Sequence, residues 1–380
     1  MFSLIIGGDI MPSFQNLDYF INGYSEKIAK DDVREIFASA DYRVFNLEVP
    51  ITDDLNPIAK DGANFAIPTQ AVKGLKNIGA DVISVANNHI KDQGESGLFS
   101  TVDVLNKNDI DAFGFGKSFT DCCSTVYLKK DDMTIAVIAC AETEFTIWSG
   151  KEAGAVPYHD YWTNKYIAEA KRISDCVVVL YHGGKEYYRY AAPYQVERCR
   201  LMVDSGADFV LCQHSHCISC FEEYKGGTIL YGQGNCVFHQ KNNKDITKEG
   251  LLVKIMLDGQ NKSIEYIPVV LDEEDTLCLA DNEKRKIILE EFNQRSEEIK
   301  MPGAVESLYL QFAQDKYEIY LRKLTGSKKI NRLFYRIANK FKLDIYSKQD
   351  KLSLLNMVRN EAHRELFIEA LKEDIKKDKA

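Results

Sequence analysis

Two stretches decide the fold: Cys176-Val-Val-Val-Leu-Tyr-His-Gly-Gly184 and Asp208-Phe-Val-Leu-Cys-Gln-His-Ser-His216, with a helical pattern over Ala191–Ser205 between them. Each is a short aliphatic, β-branched run bounded by glycine or polar residues, which reads as a strand. Each ends on histidine. Working outward, strands are expected at Leu4–Gly7, Arg43–Leu47, Val82–Val85, Thr134–Cys140, Thr228–Tyr231, Leu251–Met256 and Ser263–Val269, with another helix at Gly94–Asn106. Strand and helix alternate early, and strands follow closely over 228–270. That order argues for stacked sheets flanked by helices, an α/β fold.

Beyond residue 280 strand signals stop. Helical spacing marks Asn282–Lys300, Ala304–Leu324, Ile330–Lys340 and Leu352–Lys376, punctuated by Pro302-Gly303 and Gly326-Ser327. The expected division is an α/β domain at 1–275 and an all-helical domain at 276–380. Charge follows the same line: residues 1–280 carry a net −14 and residues 281–380 a net +5. From Arg322 to Lys342 there are eight Lys/Arg and no Asp/Glu, with Leu333, Phe334, Ile337 and Phe341 at helical spacing. This is either a helix packed on the acidic body or an interfacial helix meeting anionic lipid, polymer or a partner enzyme. Nucleic acid is discounted, since no binding-fold signature accompanies the charge.

The 380 residues are 45% hydrophobic and 28% charged, an ordinary globular balance. No apolar run approaches the roughly 18 residues that a membrane span needs. The N-terminus lacks a basic flank and a cleavage site, so no signal peptide is expected. Ten cysteines without framework spacing fit reduced thiols in a cytoplasm. Cys217-Ile-Ser-Cys220 reads either as a redox or half-zinc pair or as two buried, inert thiols.

Six polar clusters follow predicted strands: Asp9, Glu48, Asn88-His89, His182, His214 with His216, and Asn235. Carboxyl ends of strands form the crevice where such sheets bind ligands. Carboxylate, amide oxygen and imidazole together suit one or two borderline divalent ions such as Mn, Fe or Zn. In that reading Glu48 or Asp9 bridges, while Asn88, His182, His214 and His216 complete the shells. His89 is the general acid. In a metal-independent alternative, Asp9 and a histidine pair carry acid/base chemistry. Asn46, Glu186, Tyr187, Arg189 and Asn235 are assigned to substrate, although the loop with Lys185 reads equally as solvated. His159, His239 and His363 read as structural. Trp148 and Trp162 serve packing or recognition.

The ordered series Gly-Asp9, Asn46-Leu-Glu48, Asn87-Asn88-His89-x-x-Asp92-x-Gly94, His182-Gly and His214-x-His216 resembles the calcineurin-like metallophosphoesterase motifs. More narrowly, residues 3–240 resemble the CapA family of poly-γ-glutamate and capsule synthesis proteins. The likeness lies in Val178–Tyr187 and in the run from Gln195 through Asp204-Ser-Gly-Ala-Asp208 to Ile229-Leu-Tyr231-Gly-Gln-Gly234-Asn235. Met11 replaces the histidine of the usual Asp-x-His, and Glu48 replaces an aspartate, as in the CapA branch. The resemblance implies a four-layer α-β-β-α metallophosphoesterase-like sandwich with a C-terminal all-helical domain. It also implies hydrolase or transferase chemistry on a phosphoester or γ-glutamyl bond of capsule polymer. The expected partners are an anionic polymer or a phosphorylated or γ-glutamyl substrate, and membrane-associated capsule-synthesis enzymes. The expected place is the cytoplasm or the inner membrane surface. The alternative is a non-catalytic scaffold of a capsule-synthesis complex.

Overall fold

A computed structural model describes residues 1–13, 15–60, 62–148, 150–238, 245–325 and 347–377. Elements are numbered along the chain. The first sheet holds β1 (Phe2–Met11), β2 (Tyr42–Leu47), β3 (Val82–Ser84), β4 (Asp111–Phe113), β14 (Asn235–Phe238), β15 (Glu249–Asp258), β16 (Asn261–Leu271) and β17 (Leu277–Leu279). Its order is β17-β16-β15-β1-β2-β3-β4, with β14 also paired to β1. The second holds β7 (Thr125–Lys130), β8 (Met133–Ala141), β10 (Cys176–His182), β11 (Phe209–Gln213), β12 (Phe221–Tyr224) and β13 (Gly227–Leu230), in the order β12-β13-β11-β10-β8-β7. A small third sheet joins β5 (Phe115–Ser118), β6 (Asp121–Cys123) and β9 (Gly154–Ala155).

Helices α1 (Leu17–Asn22), α2 (Ser25–Ile28), α3 (Asp31–Ala38), α4 (Val72–Asn77) and α5 (Gly94–Lys107) serve the first sheet; α6 (Asp160–Lys171) and α7 (Pro193–Asp204) serve the second. The two-residue period of the second sheet builds the layers. Ile135, Val137, Ala139, Val178, Leu180 and Leu211 join the core shared with the first sheet. Their alternates Ile138, Val177, Val179 and Val210 pack against Ile167 and Ala170 of α6 and Cys199 and Met202 of α7. Phe20, Phe37, Leu75 and Leu98 bring α1, α3, α4 and α5 onto the first core. The result is a four-layer α-β-β-α sandwich.

All nine predicted strands form. The patterns missed β4 to β7, β9, β12, β14 and β17, which are short or lie near sheet edges. After β17, α8 (Asn282–Glu298) sets Ile288 and Phe292 in the main core. The remaining helices are α9 (Ala304–Thr325), α10 (Lys348–Arg359) and α11 (Glu361–Lys377). They gather Tyr309, Ala313, Met357 and Leu366 around Tyr188 and Ala192 of the body. The expected single helix Leu352–Lys376 is broken at Asn360, whose ψ of 116° leaves the helical region. Helix Ile330–Lys340 and most of the basic stretch after Arg322 lie outside the described residues, as does His239. Among the described residues no helix is long and apolar enough to cross a membrane.

Candidate metal centre

Backbone register gathers the first ligands. In parallel pairing, Asp9 of β1 stands opposite Asn46 of β2 and Asn235 of β14. The register shifts between Asp9 and Ile10 against β14, and between Ile6 and Asp9 against β2. Asn235 opens β14 and does not end a strand as expected. In the second sheet His182 stands opposite Gln213, so His214 leaves β11 beside it. The two sheets are tied at this end: Gln213 Nε2 donates to the Gly7 carbonyl at 3.3 Å, and Gln233 Nε2 to that of Ile6 at 2.8 Å. His214 and His216 have φ of 83° and 52°, a left-handed backbone that non-glycine residues adopt at a cost of order 1–3 kcal/mol each. Such strain concentrates at functional sites.

The ligand atoms of Glu48, His214 and His216 lie within 4.8 Å of one another, all buried. Glu48 Oε1 is 3.5 Å from His182 Nε2 and 3.9 Å from His216 Nε2. His182 Nε2 is also 3.0 Å from Asn88 Oδ1. Asp9 receives the Asn46 amide at 2.7 Å and the His214 backbone N–H at 3.1 Å. Both its histidine neighbours, His182 and His216, are 3.7 Å away. Asp9, Glu48, Asn88, His182, His214 and His216 are thus one cluster.

Electrostatics sort their protons. Burial, then the charge of Glu48, pushes the Asp9 carboxyl up to about 6. Burial opposes ionisation of Glu48 too, but His216 and His182 hold its carboxyl far below the usual range. Burial would lower both those imidazoles, yet the two carboxylates raise them. Burial, then the charge of His182, holds His214 well below its ordinary value. His214 is therefore neutral and free to ligate.

The donor set fits a divalent cation. Both carboxylate oxygens of Glu48 and the Nδ1 of His214 are buried with no hydrogen-bond partner. Buried carboxylates are otherwise paired or metal-bound. Met11 is packed in the main core and adds no ligand.

His89 stands half-buried at the mouth. Its Nδ1 lies 2.7 Å from Asp92 Oδ2, and Lys60, ion-paired to Asp92, is 3.1 Å from the same nitrogen. Asn87 anchors this turn: its Oδ1 accepts from the backbones of His89 at 3.1 Å and Ile90 at 2.9 Å, and Thr146 holds its carbonyl at 2.7 Å. Asp92 stood in the motif, but Lys60 sits in a loop with no periodic signal, and sequence reasoning missed it. His89→Asn is expected to keep the metal and lower kcat about 10²- to 10⁴-fold. Metal content measured beside the rate checks this, and loss of metal would make His89 a ligand.

The substrate-side residues divide. Tyr187 has φ 61°, donates its N–H to Ser215 at 2.8 Å, and sets its ring 6.1 Å from His216. Glu186 is near enough to raise His216 and, after burial, the Glu144 carboxyl, which rises to about 8. Arg189 turns elsewhere, to Glu291 at 2.9 Å and the Ile218 carbonyl at 3.4 Å. Asn46 and Asn235 are buried beside the candidate ligands, Asn46 donating to Asp9 and Asn235 facing His216. Asn235 Oδ1 is 3.0 Å from His216 Nδ1, and its amide donates to Thr247 at 2.9 Å.

Residues set aside also find places. Burial raises the thiols of Cys217 and Cys220 to about 11 and 12, so they are poor nucleophiles and poor ligands. His159 caps α6 by accepting from Tyr161 N at 3.1 Å. Phe119 lies 4.7 Å from Trp148 and stacks on Trp162 at 5.6 Å, a packing role.

Residues 3–240 match the family described as bacterial capsule synthesis protein PGA_cap. The capsule biosynthesis protein CapA of Bacillus anthracis is 29% identical over 276 residues, 70% of this chain and 66% of that protein. The PGA biosynthesis protein CapA of Bacillus subtilis strain 168 is 29% identical over 293 residues, 73% of this chain and 77% of that protein. The alignment therefore spans just under two thirds of the first relative's length and more of the second's. A solved phosphatase from Mycoplasma pneumoniae is 13% identical over 71% of this chain and 93% of that one, with a TM-score of 0.46.

Proposed function

The chain belongs to the bacterial capsule synthesis protein family PGA_cap, and from that premise we propose that it is a metal-dependent hydrolase or transferase of capsule assembly. Its bond is a phosphoester or a γ-glutamyl amide in an anionic polymer or precursor. One observation carries the reading: Glu48 presents two buried oxygens, neither of them hydrogen-bonded, to His214 and His216. Glu48, His214 and His216 would hold the ion, with Asp9, His182 and Asn88 beside them for a second. When bound, Mn, Fe or Zn supplies Lewis acidity and lowers the pKa of water to near neutrality.

The chain's own residues do the rest. His89, its Nδ1 held at Asp92 and Lys60, presents Nε2 to the leaving oxygen or nitrogen. It gives up that proton as the bond breaks. Asn46 and Asn235 keep the ligands in place, as supporting hydrogen bonds do around metals. Lys185, Glu186 and Tyr187 stand half-buried at the mouth, where a polymer end would enter. Work at the cytoplasmic face, beside membrane-associated capsule enzymes, belongs to the same proposal.

Metal removal tests it. Exhaustive chelation is expected to abolish hydrolysis of a chromogenic phosphodiester or γ-glutamyl anilide, and Mn or Zn to restore it. The ion should also stabilise the fold by about 2.7 kcal/mol at a hundredfold excess over its Kd. Thermal melting with and without metal reads this independently of substrate. Full activity after chelation would overturn the proposal in favour of acid/base chemistry by Asp9 and a histidine pair.

A further inference from the structure

His214 and His216 stand on a hook of chain that leaves β11 after Gln213 and reaches β12 at Phe221. Both have positive φ, of 83° and 52°. Non-glycine backbone in that region persists only where its surroundings over-determine it. Strand pairing supplies little of this, since Ile218 makes an isolated bridge to Gln233. Donors aimed at the hook's carbonyls supply more. Ser215 accepts from Tyr187 N at 2.8 Å, and Cys217 from Ser215 Oγ at 2.9 Å.

Ile218 and Ser219 are gripped by charge. Arg295 of α8 donates Nε to the Ser219 carbonyl at 2.9 Å and Nη2 to the Ile218 carbonyl at 3.3 Å. Arg189, on the segment that follows His182, donates Nε to the same Ile218 carbonyl at 3.4 Å. Both guanidiniums reach Glu291, Arg189 at 2.9 Å and Arg295 at 3.4 Å. Arg295 is 6% exposed, and burial, then the charge of Arg189, holds it below its ordinary value. Two guanidiniums on one half-exposed carboxylate are costly, because a buried charge is normally matched by a partner. What the arrangement gains is a rigid fork that spans two carbonyls, which the point charge of an ammonium does not offer.

We propose, resting on the metal-centre reading, that Arg295 is a positioning residue: with Arg189 it clamps the Ile218 and Ser219 carbonyls and fixes the hook that presents His214 and His216 to the ion. The Ile218 carbonyl ties the segment after His182 to the segment after His216, so one acceptor sets the three imidazoles relative to one another. Helix α8 lies in the helical domain of the expected division, yet it serves the centre.

The test uses the full chain and Mn²⁺ alone, titrated by calorimetry, with the electron paramagnetic resonance spectrum of the bound ion as a second readout. Arg295→Met is expected to weaken Mn²⁺ binding about 10- to 100-fold, the range over which groups supporting metal ligands act. The spectrum of the ion still bound should change as the imidazoles shift. Arg295→Lys, which keeps the charge but not the fork, should lose less, though more than about threefold. Phe292→Leu is the control, on the same helix and packed in the main core. It should lower the urea midpoint and leave Mn²⁺ affinity within about threefold. A merely structural Arg295 would behave like Phe292→Leu, destabilised with affinity and spectrum unchanged, and that result overturns the proposal. If Arg295→Met does not fold, Arg295→Lys decides by the same threefold limit. A wild-type chain that binds no Mn²⁺ removes the metal reading, and this proposal with it. Binding by wild type and by both Arg295 variants within about threefold removes the proposal alone.

Discussion

Glu48→Gln is expected to strip the centre of its divalent metal and lower turnover at least about 10³-fold, equivalent to roughly 4 kcal/mol of transition-state stabilisation. The substitution is isosteric, so the fold should persist and circular dichroism should be unchanged. What changes is charge. Glu48 is ionised in a fully buried setting because His216 and His182 flank it. Glutamine offers one neutral acceptor and places an amide donor among imidazoles that themselves need acceptors. Elemental analysis of protein purified without chelators, and calorimetric titration of Mn or Zn, read the outcome. Retained metal with turnover within about threefold would remove Glu48 from the centre, because even supporting residues around a metal account for 10- to 100-fold. Asn46→Ala, which removes the hydrogen bond to Asp9, the contact with His182 Nδ1 and the acceptor of the Asn87 amide, should fall in that smaller range.

Gly250→Ala is expected to destabilise the chain by about 3 kcal/mol or more, at the upper end of overpacking costs. A Cβ at Gly250 would lie 1.8 Å from the Asn235 carbonyl oxygen, and one at Gly8 would lie 2.2 Å from that of Gly234. Both obstacles are backbone, which cannot swing aside as a side chain can. β1, β14 and β15 approach this closely because β14 inserts where Asp9 and Asn235 share register. If the variant folds, Asn235 must move and His216 loses its Nδ1 partner, so metal affinity should drop as well. Gly226→Ala is the control. Nothing lies within 4 Å of its added carbon, and its φ of 86° alone costs about 1 kcal/mol. Urea unfolding of both variants measures the difference. A Gly250→Ala cost near that of Gly226→Ala would mean that the strands separate freely.

Much of the centre is legible along the chain because its candidate ligands lie in the last residues of strands or just past them, with Asp9 inside β1 two residues before its end and His182 closing β10, and strands announce themselves locally. Val177 to Leu180 and Phe209 to Leu211 are apolar on both faces since each is sandwiched between a sheet and helices. A buried strand must end where the chain can turn, and a polar residue there is conspicuous against the run before it. Asp9, Glu48, His182, His214 and His216 stand out for that reason. The helices expected at Gly94–Asn106, Ala191–Ser205, Asn282–Lys300 and Ala304–Leu324 follow from the 3.6-residue period, α1 to α4 and α6 are not singled out by it, and the expected Leu352–Lys376 is misread at Asn360. There the apolar spacing continues across the break, and Asn360 ends one helix and caps the next through His363 N.

What only the tertiary structure decided is which of these residues meet, and what each is paired with. Register between positions 9, 46 and 235 depends on strand pairing across long loops, and side-chain periodicity within one strand says nothing about a partner far away. Lys60 reaches His89 and Asp92 from an irregular loop, and Arg189 is drawn off to Glu291. Each is a charge whose partner is chosen by three-dimensional proximity after folding. Asn46 and Asn235 meet Asp9 and His216 for the same reason, through burial that their own neighbours in sequence do not dictate. The residue types of the centre are thus local information, because burial and turning constrain each strand end separately. Its geometry is non-local, because distances of a few ångströms between separate strand ends exist only once both sheets have closed on each other.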